Sequence, residues 1–286
     1  MILIWGIASF VQMMFFDDGS GRIQGIFKEK LTLGIILGSL TPLIILLLGK
    51  TSRKTTYLLT FMLLTIFISG TRSAWLTGAI FFAIYYFLFL KDSSLRFKLS
   101  LLAFYCFALI LIINISSIGQ RISQTSQALS ADQENINKAS GGRLELWKDA
   151  ISLGLKHPIT GVGANNFRYG QIEVTADKDS LWTKEIPEDD FTIIGFAHTH
   201  HIILEAWSNT GLIGLIGIII FYLAIFKQTF LSWHEKDLVA LAALLGLLTA
   251  IFPLGSHNNL YGSWMTGWLW IWVGISLGLV HLQRGK

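Results

Sequence analysis

Three of the chain's seven histidines, His198, His200 and His201, fall within four residues of one another. They close a long polar stretch. An apolar run opening Ile202-Ile203-Leu204 and carrying Gly211 and Gly214 follows at once. Imidazole is the side chain that changes charge near neutral pH, so a cluster of imidazoles at a membrane entrance suits proton transfer or ligand binding. A neutral imidazole can serve as general base on an acceptor hydroxyl. His198 and His200 could instead chelate a metal with Glu205, one helical turn beyond His201, or the three rings could be polar groups satisfied at a loop end. No cysteine or second ligand cluster stands beside them and the spacing follows no zinc signature, so neither a metal nor a cofactor is expected.

Two arginines have the charge to meet an anionic substrate. Arg72 lies in Ser69-Gly70-Thr71-Arg72-Ser73, which interrupts a long apolar block. A guanidinium left in lipid costs several kcal/mol, so a tight helical hairpin with Arg72 at the interface is expected. A diphosphate headgroup is a natural partner for it; snorkelling to the interface is the plainer role. Arg143 opens a stretch in which Leu144, Trp147, Ile151 and Leu155 recur at helical spacing up to Pro158. That pattern predicts an amphipathic helix that lies on the membrane surface or caps a helix bundle. A helix N-terminus with a guanidinium favours a phosphate-type anion, unless Arg143 pairs with a carboxylate. Gly161-Val162-Gly163 lacks the strand-turn-helix setting of a phosphate cradle and reads as a tight turn.

The elements that must position these residues follow from composition. Charged residues make up 14% of the chain, against about 25% in soluble domains. The apolar residues fall in blocks at about 1–16, 31–49, 55–69, 73–90, 97–115, 203–226, 238–254 and 263–281. Spans of roughly 20 residues cross a bilayer as helix. The expected fold is an all-α polytopic membrane protein of about eight transmembrane helices with one large extracytoplasmic loop. It divides into N-terminal helices (1–115), the loop with its amphipathic helix (116–201) and C-terminal helices (202–286). Lys50, Arg53 and Lys54, then Lys91, Arg96 and Lys98, then Lys227 and Lys236, then Arg284 and Lys286 recur on alternate loops. The positive-inside rule sets these in the cytoplasm. Arg22, Arg72, the histidine loop and His257-Asn258-Asn259 then share the extracytoplasmic face. The mildly basic balance is that of cytoplasmic loops, so no nucleic-acid partner is expected. Residues 120–140 read as a flexible linker. The first residues read as a helix rather than a removable signal peptide. Cys106 is the single cysteine, which excludes a disulfide within the chain. Trp264, Trp268 and Trp270 suit an interfacial aromatic belt; Trp147 and Trp182 are candidates for stacking on a sugar.

The series of segments resembles the superfamily of O-antigen ligases and Wzy-type polymerases. Arg22-Ile23-Gln24-Gly25-Ile26-Phe27 is similar to its early Arg/Gly/Phe loop, and Ser69-Gly70-Thr71-Arg72-Ser73-Ala74 to its helix-break motif. Gly142-Arg143-Leu144-Glu145-Leu146-Trp147 through Pro158 and Gly161-Val162-Gly163 resembles the start of its large periplasmic loop. His200-His201 followed by Gly211-Leu212-Ile213-Gly214 resembles its signature at the loop's end. The family usually carries Asn, Ser or Gln where this chain has His201, and its members tend to be longer; the resemblance covers roughly their C-terminal two-thirds.

This resemblance implies a metal-independent, inverting glycosyltransferase of the bacterial inner membrane, with its active face extracytoplasmic. The donor would be a glycan on undecaprenyl diphosphate and the acceptor a glycan or glycolipid hydroxyl, in surface polysaccharide or lipopolysaccharide biosynthesis. Arg72 and Arg143 would hold the diphosphate, and His200 would deprotonate or orient the acceptor. Arg22, His198 and His201 would bind substrate. An O-antigen or exopolysaccharide polymerase needs the same donor chemistry. A bicarbonate-transport-related protein shares the superfamily's domain, but a transporter should bury ionisable groups at mid-membrane, where these segments are nearly free of charge. A non-catalytic relative would tolerate loss of Arg72, Arg143 and His200.

Overall fold

The computed structural model describes residues 2–15, 32–47, 53–84, 93–115, 122–123, 136, 140, 142–174, 198–252 and 260–284. Every long element among them is an α-helix. In order they are α1 (Ile2–Phe15), α2 (Thr32–Leu47), α3 (Arg53–Ile68), α4 (Arg72–Ile84), α5 (Leu95–Ile115), α6 (Arg143–Lys156), α7 (Phe167–Gly170), α8 (Ile202–His234), α9 (Leu238–Ala250) and α10 (Ser263–Arg284). A single 3-10 turn, Gln171–Glu173, follows α7. The apolar segments of the sequence coincide with α1–α5 and α8–α10, and the polar stretch supplies α6 and α7.

Among the described residues, α8 is long and apolar enough by itself to cross a bilayer. Leu33–Ile44, Thr56–Ile68, Leu238–Ala250 and Thr266–Leu282 are shorter apolar helices. Helix α8 outruns the expected 203–226 stretch because Lys227–His234 contains no Gly or Pro to stop it. It ends at Glu235-Lys236, where Lys236 turns to φ 57°.

The chain forms two compact units. The first comprises Met1–Ser123, Thr229–Ala250 and Trp272–Lys286; the second comprises Gln124–Gln228 and Ile251–Ile271. In the first unit α2 packs against α3, α4 and α9, and α3 also receives α1 and α5. Leu33, Leu37, Leu59, Met62, Leu63 and Ile66 form its core. The expected hairpin joins α3 to α4. Gly70 takes a left-handed φ of 66° and ends α3, as residues without a Cβ commonly do. Trp75 Nε1 donates across the turn to Phe67 O at 2.8 Å, and the two rings stack at 4.8 Å. Ser69 and Thr71 are fully buried, so the turn is packed rather than splayed outward. Arg72 is the first residue of α4.

In the second unit α6 buries Leu146, Ala150 and Leu153 against Phe167, with Trp147, Val162, Val174 and Leu204 at the margin. This differs from the expected face. The helix carries two apolar stripes, and the one at 146, 150 and 153 is turned inward, while Ile151 and Leu155 are exposed. The helix stops at Lys156, two residues before Pro158, as that proline dictates. Lys156 Nζ lies 2.8 Å and His157 Nε2 3.2 Å from a Glu173 carboxylate oxygen, which ties the end of α6 to the 3-10 turn. These two hydrogen-bonding groups hold the Glu173 carboxyl below the usual carboxylate range.

Candidate active site at the head of the long helix

Helix α8 is one element in the chain but two helices in conformation. Gly211, at φ 58° and ψ −150°, breaks it between a head of about two turns and the long remainder. A broken helix leaves backbone donors and acceptors without partners, and such groups must be satisfied inside an apolar setting. The turn after α6 supplies the partners. Val162 N donates to Ser208 O at 3.1 Å and Gly163 N to Asn209 O at 2.8 Å. In return Leu212 N donates to Pro158 O at 2.8 Å. The approach is backbone on backbone: a Cβ at Gly211 would sit 2.5 Å from Ile159 C and O, and one at Gly161 2.3 Å from Asn209 C. The Gly161-x-Gly163 turn predicted from sequence is therefore present, and its further role is to dock the polar stretch into the helix break. Gly214 makes room for the Thr210 side chain, whose hydroxyl lies 3.3 Å from Tyr261 OH.

A column of buried polar side chains runs up the head of α8. Glu205, Ser208 and Asn209 are fully buried. Asn209 Oδ1 accepts from Phe167 N at 2.9 Å, which turns its amide nitrogen toward Glu205, 2.9 Å from the backbone carbonyl and 3.3 Å from Oε1. Glu205 Oε2 accepts from Thr199 N at 2.8 Å and lies 3.0 Å from the Thr199 hydroxyl. That hydroxyl also lies 2.9 Å from His201 O, and it accepts from His201 N at 3.2 Å. Trp147 Nε1 reaches in from α6 to donate to Thr199 O at 3.2 Å. The sugar-stacking expectation for Trp147 meets a ring already engaged, by this bond and by edge contact with His201 at 5.5 Å.

The three imidazoles have different surroundings. His201 precedes α8 and accepts from Leu204 N at 3.4 Å through Nδ1, the position of a helix-capping group. Its burial disfavours the charged form and holds the imidazole below the usual histidine range. His198 is buried, and its Nδ1 accepts from His200 N at 3.2 Å. With Nδ1 accepting, the neutral His198 ring carries its proton on Nε2. His200 is half-buried and takes φ 55°, a left-handed conformation that residues with a Cβ adopt only where the surroundings impose it. Its ring meets that of His198 with centroids 4.1 Å apart. An imidazole pair so held has the elements of a proton acceptor with an oriented neighbour.

Arg143 starts α6 in this same unit, half-buried, directly after Gly142 at φ 76°. Arg72 belongs to the other unit. The expectations for Arg22, Trp182 and His257-Asn258-Asn259 lie outside the described residues. Among the described residues, no group of three or more His, Cys, Asp or Glu side chains is arranged to hold a metal ion. Glu205 turns instead toward Thr199 and Asn209. Sequence reading named neither Thr199 nor Asn209. The available signal was the four-residue step from Glu205 to Asn209 in an otherwise apolar helix, which stacks the two side chains on one face.

Comparison with known proteins sets this arrangement in context. A curated protein of Haemophilus influenzae, described as uncharacterized, is 25% identical over 211 residues, covering 69% of this chain and 49% of that protein. The chain thus spans about half the length of the curated relative it matches. The family model described as O-Antigen ligase (Wzy_C) matches residues 57–219, a stretch from α3 to the middle of α8 that takes in Arg72, Arg143 and all three clustered histidines. That match covers more than half of the sequence, and the chain belongs to the O-antigen ligase family.

Proposed function

We propose that the protein is a membrane glycosyltransferase that moves a glycan from an undecaprenyl-diphosphate carrier to an acceptor hydroxyl, in the manner of an O-antigen ligase. The observation that carries this reading is His200. It lies inside the family match, half-exposed at the head of the long apolar helix, with its backbone conformation imposed by its neighbours. In the proposed reaction His200 removes or orients the acceptor proton as the hydroxyl oxygen attacks the anomeric carbon. The bond from that carbon to the diphosphate breaks with inversion, and the carrier leaves as the diphosphate anion. Arg143 and Arg72 stabilise the charge that develops there. His198 orients His200, and His201 and Arg22 contribute to substrate binding. The reaction uses no metal, so activity should persist in a chelator.

The same reading places about eight spans in the inner membrane and residues 116–201 outside the cytoplasm. Family membership and the apolar character of the helices support it.

The test is deletion of the gene, with rescue by wild type or His200→Ala and surface polysaccharide resolved by length. Full-length glycan retained on its carrier identifies a ligase. Collapse of the length ladder to single repeats identifies a polymerase. In either case His200→Ala should fail to rescue, with transfer reduced about 10² to 10⁴-fold. An unchanged profile on deletion, or full rescue by His200→Ala, overturns the proposal.

A further inference from the structure

Thr199 separates the two paired imidazoles, and its backbone is held from both sides. Its N–H is on Glu205 Oε2 at 2.8 Å, and its carbonyl receives Trp147 Nε1 at 3.2 Å. The next N–H, that of His200, closes onto His198 Nδ1 at 3.2 Å. Both peptide planes between His198 and His200 are thereby fixed, and so is the left-handed turn at His200. Two N–H donors face the carboxylate, those of Thr199 and the Asn209 amide, and the Thr199 hydroxyl lies 3.0 Å from it and 2.9 Å from His201 O. Asn209 cannot turn its oxygen toward Glu205 without abandoning Phe167 N–H. A carboxylate accepts at both oxygens and meets both N–H donors. A glutamine, whichever way it is turned, sets an NH₂ against Thr199 N–H or against the Asn209 NH₂.

We propose that Glu205, acting through Thr199, is a positioning residue that sets the orientation of the His198–His200 pair, with Trp147 as the second arm of the clamp. The inference rests on the transferase reading above. Glu205 is fully buried and both of its carboxylate oxygens are engaged, so it acts on the reaction through the backbone it holds.

The test uses the full-length protein in lipid nanodiscs. The donor is the polyprenyl-diphosphate-linked glycan extracted from the deletion strain, and the acceptor is that strain's envelope glycolipid. Glu205→Gln and Thr199→Val should lower kcat by about 10²-fold, the order expected when a catalytic group is misplaced by about 1 Å, with KM for the donor unchanged. Thr199→Ser, which keeps the hydroxyl, should restore most of the rate. Trp147→Phe, which removes the indole N–H arm and keeps an aromatic ring, should lower kcat less than Glu205→Gln. If Glu205→Gln does not fold, the Thr199 pair carries the test. Wild-type turnover in both Glu205→Gln and Thr199→Val, a loss confined to KM, or a Thr199→Ser no better than Thr199→Val would each overturn the inference.

A second measurement is independent of turnover. In protein labelled with ¹⁵N at histidine, the ring signals of His198 and His200 should move in Glu205→Gln and Thr199→Val and return in Thr199→Ser; signals that stay in place overturn the clamp. Absence of transfer by wild type, together with ring signals that do move, removes the transferase reading and leaves the clamp standing.

Discussion

The two units differ in how far their side-chain hydrogen bonds reach along the chain. In the first, threonine and serine hydroxyls bond back to their own helix: Thr41 to Leu37 O, Thr60 to Thr56 O, Thr65 to Phe61 O and Thr249 to Leu245 O, each four residues away. The second has back-bonds as well, Ser208 to Leu204 O and Thr210 to Ala206 O, but its side chains also join distant segments: Trp147 to Thr199 O, Asn209 to Phe167 N–H, Trp207 to Ile151 O and Gln171 to Asp149. A back-bonded hydroxyl makes a helix self-sufficient and places little demand on its neighbours. A bond between distant segments ties one particular geometry to the survival of every partner. The first unit is therefore built to tolerate change and the second to hold a shape.

Substitutions test that contrast. The largest effect is expected from Gly211→Ala, which adds a Cβ 2.5 Å from the Ile159 backbone at a position of φ 58°. Destabilisation on the order of 4 kcal/mol or more is expected, seen as a steep fall in melting temperature of the detergent-solubilised protein. A near-normal melt would mean that the seam between turn and helix break does not hold the second unit together. Next comes Asn209→Ala, which strips the acceptor from Phe167 N–H and a donor from Glu205. Loss of a buried partner costs about 1 to 3 kcal/mol, and the same melting measurement reads it.

Acid should act on the second unit through His201. Its imidazole is held below the usual range by burial, so the native state binds a proton more weakly than the unfolded chain. The stability this contributes is present above the unfolded value of about 6.5 and is lost as pH falls through the lower native one. Between pH 7 and pH 5 this should lower the melting temperature relative to a chain whose residue 201 does not titrate. His201→Asn, which keeps a capping oxygen for Leu204 N–H but does not titrate, should flatten that slope. An unaltered slope would place the acid sensitivity elsewhere. The smallest effect belongs to the first unit: Thr60→Val removes a hydroxyl bonded to Thr56 O and should cost about 0.5 kcal/mol or less, since such back-bonds add little to a helix. If it costs as much as Asn209→Ala, the contrast between the units fails.

The parts legible in the sequence are those encoded locally. Apolar blocks marked the helices, Gly70 the hairpin, Pro158 the end of α6, and the series of motifs from Ser69 to Gly214 the family. What stayed hidden depends on segments that meet only after folding. Nothing near Trp147 announces that its indole N–H ends on Thr199 O. The inward stripe of α6 competed with an equally apolar outward one, and periodicity alone does not choose between them. Glu205 was visible as a carboxylate in an apolar run, but its partner appears only when the loop end folds back over the helix head. His201, taken with its neighbours as a substrate-binding ring, sits where a helix cap sits.

The break at Gly211 also orders events during synthesis. Pro158–Gly163 leaves the ribosome before Ser208–Leu212, so the backbone partners of the broken helix are synthesised before the helix that needs them. Until the two meet, the head of α8 carries open backbone groups that hydrocarbon does not accept. The histidine cluster stands on that docked head, so a head that had not met its partner would present a helix without a site.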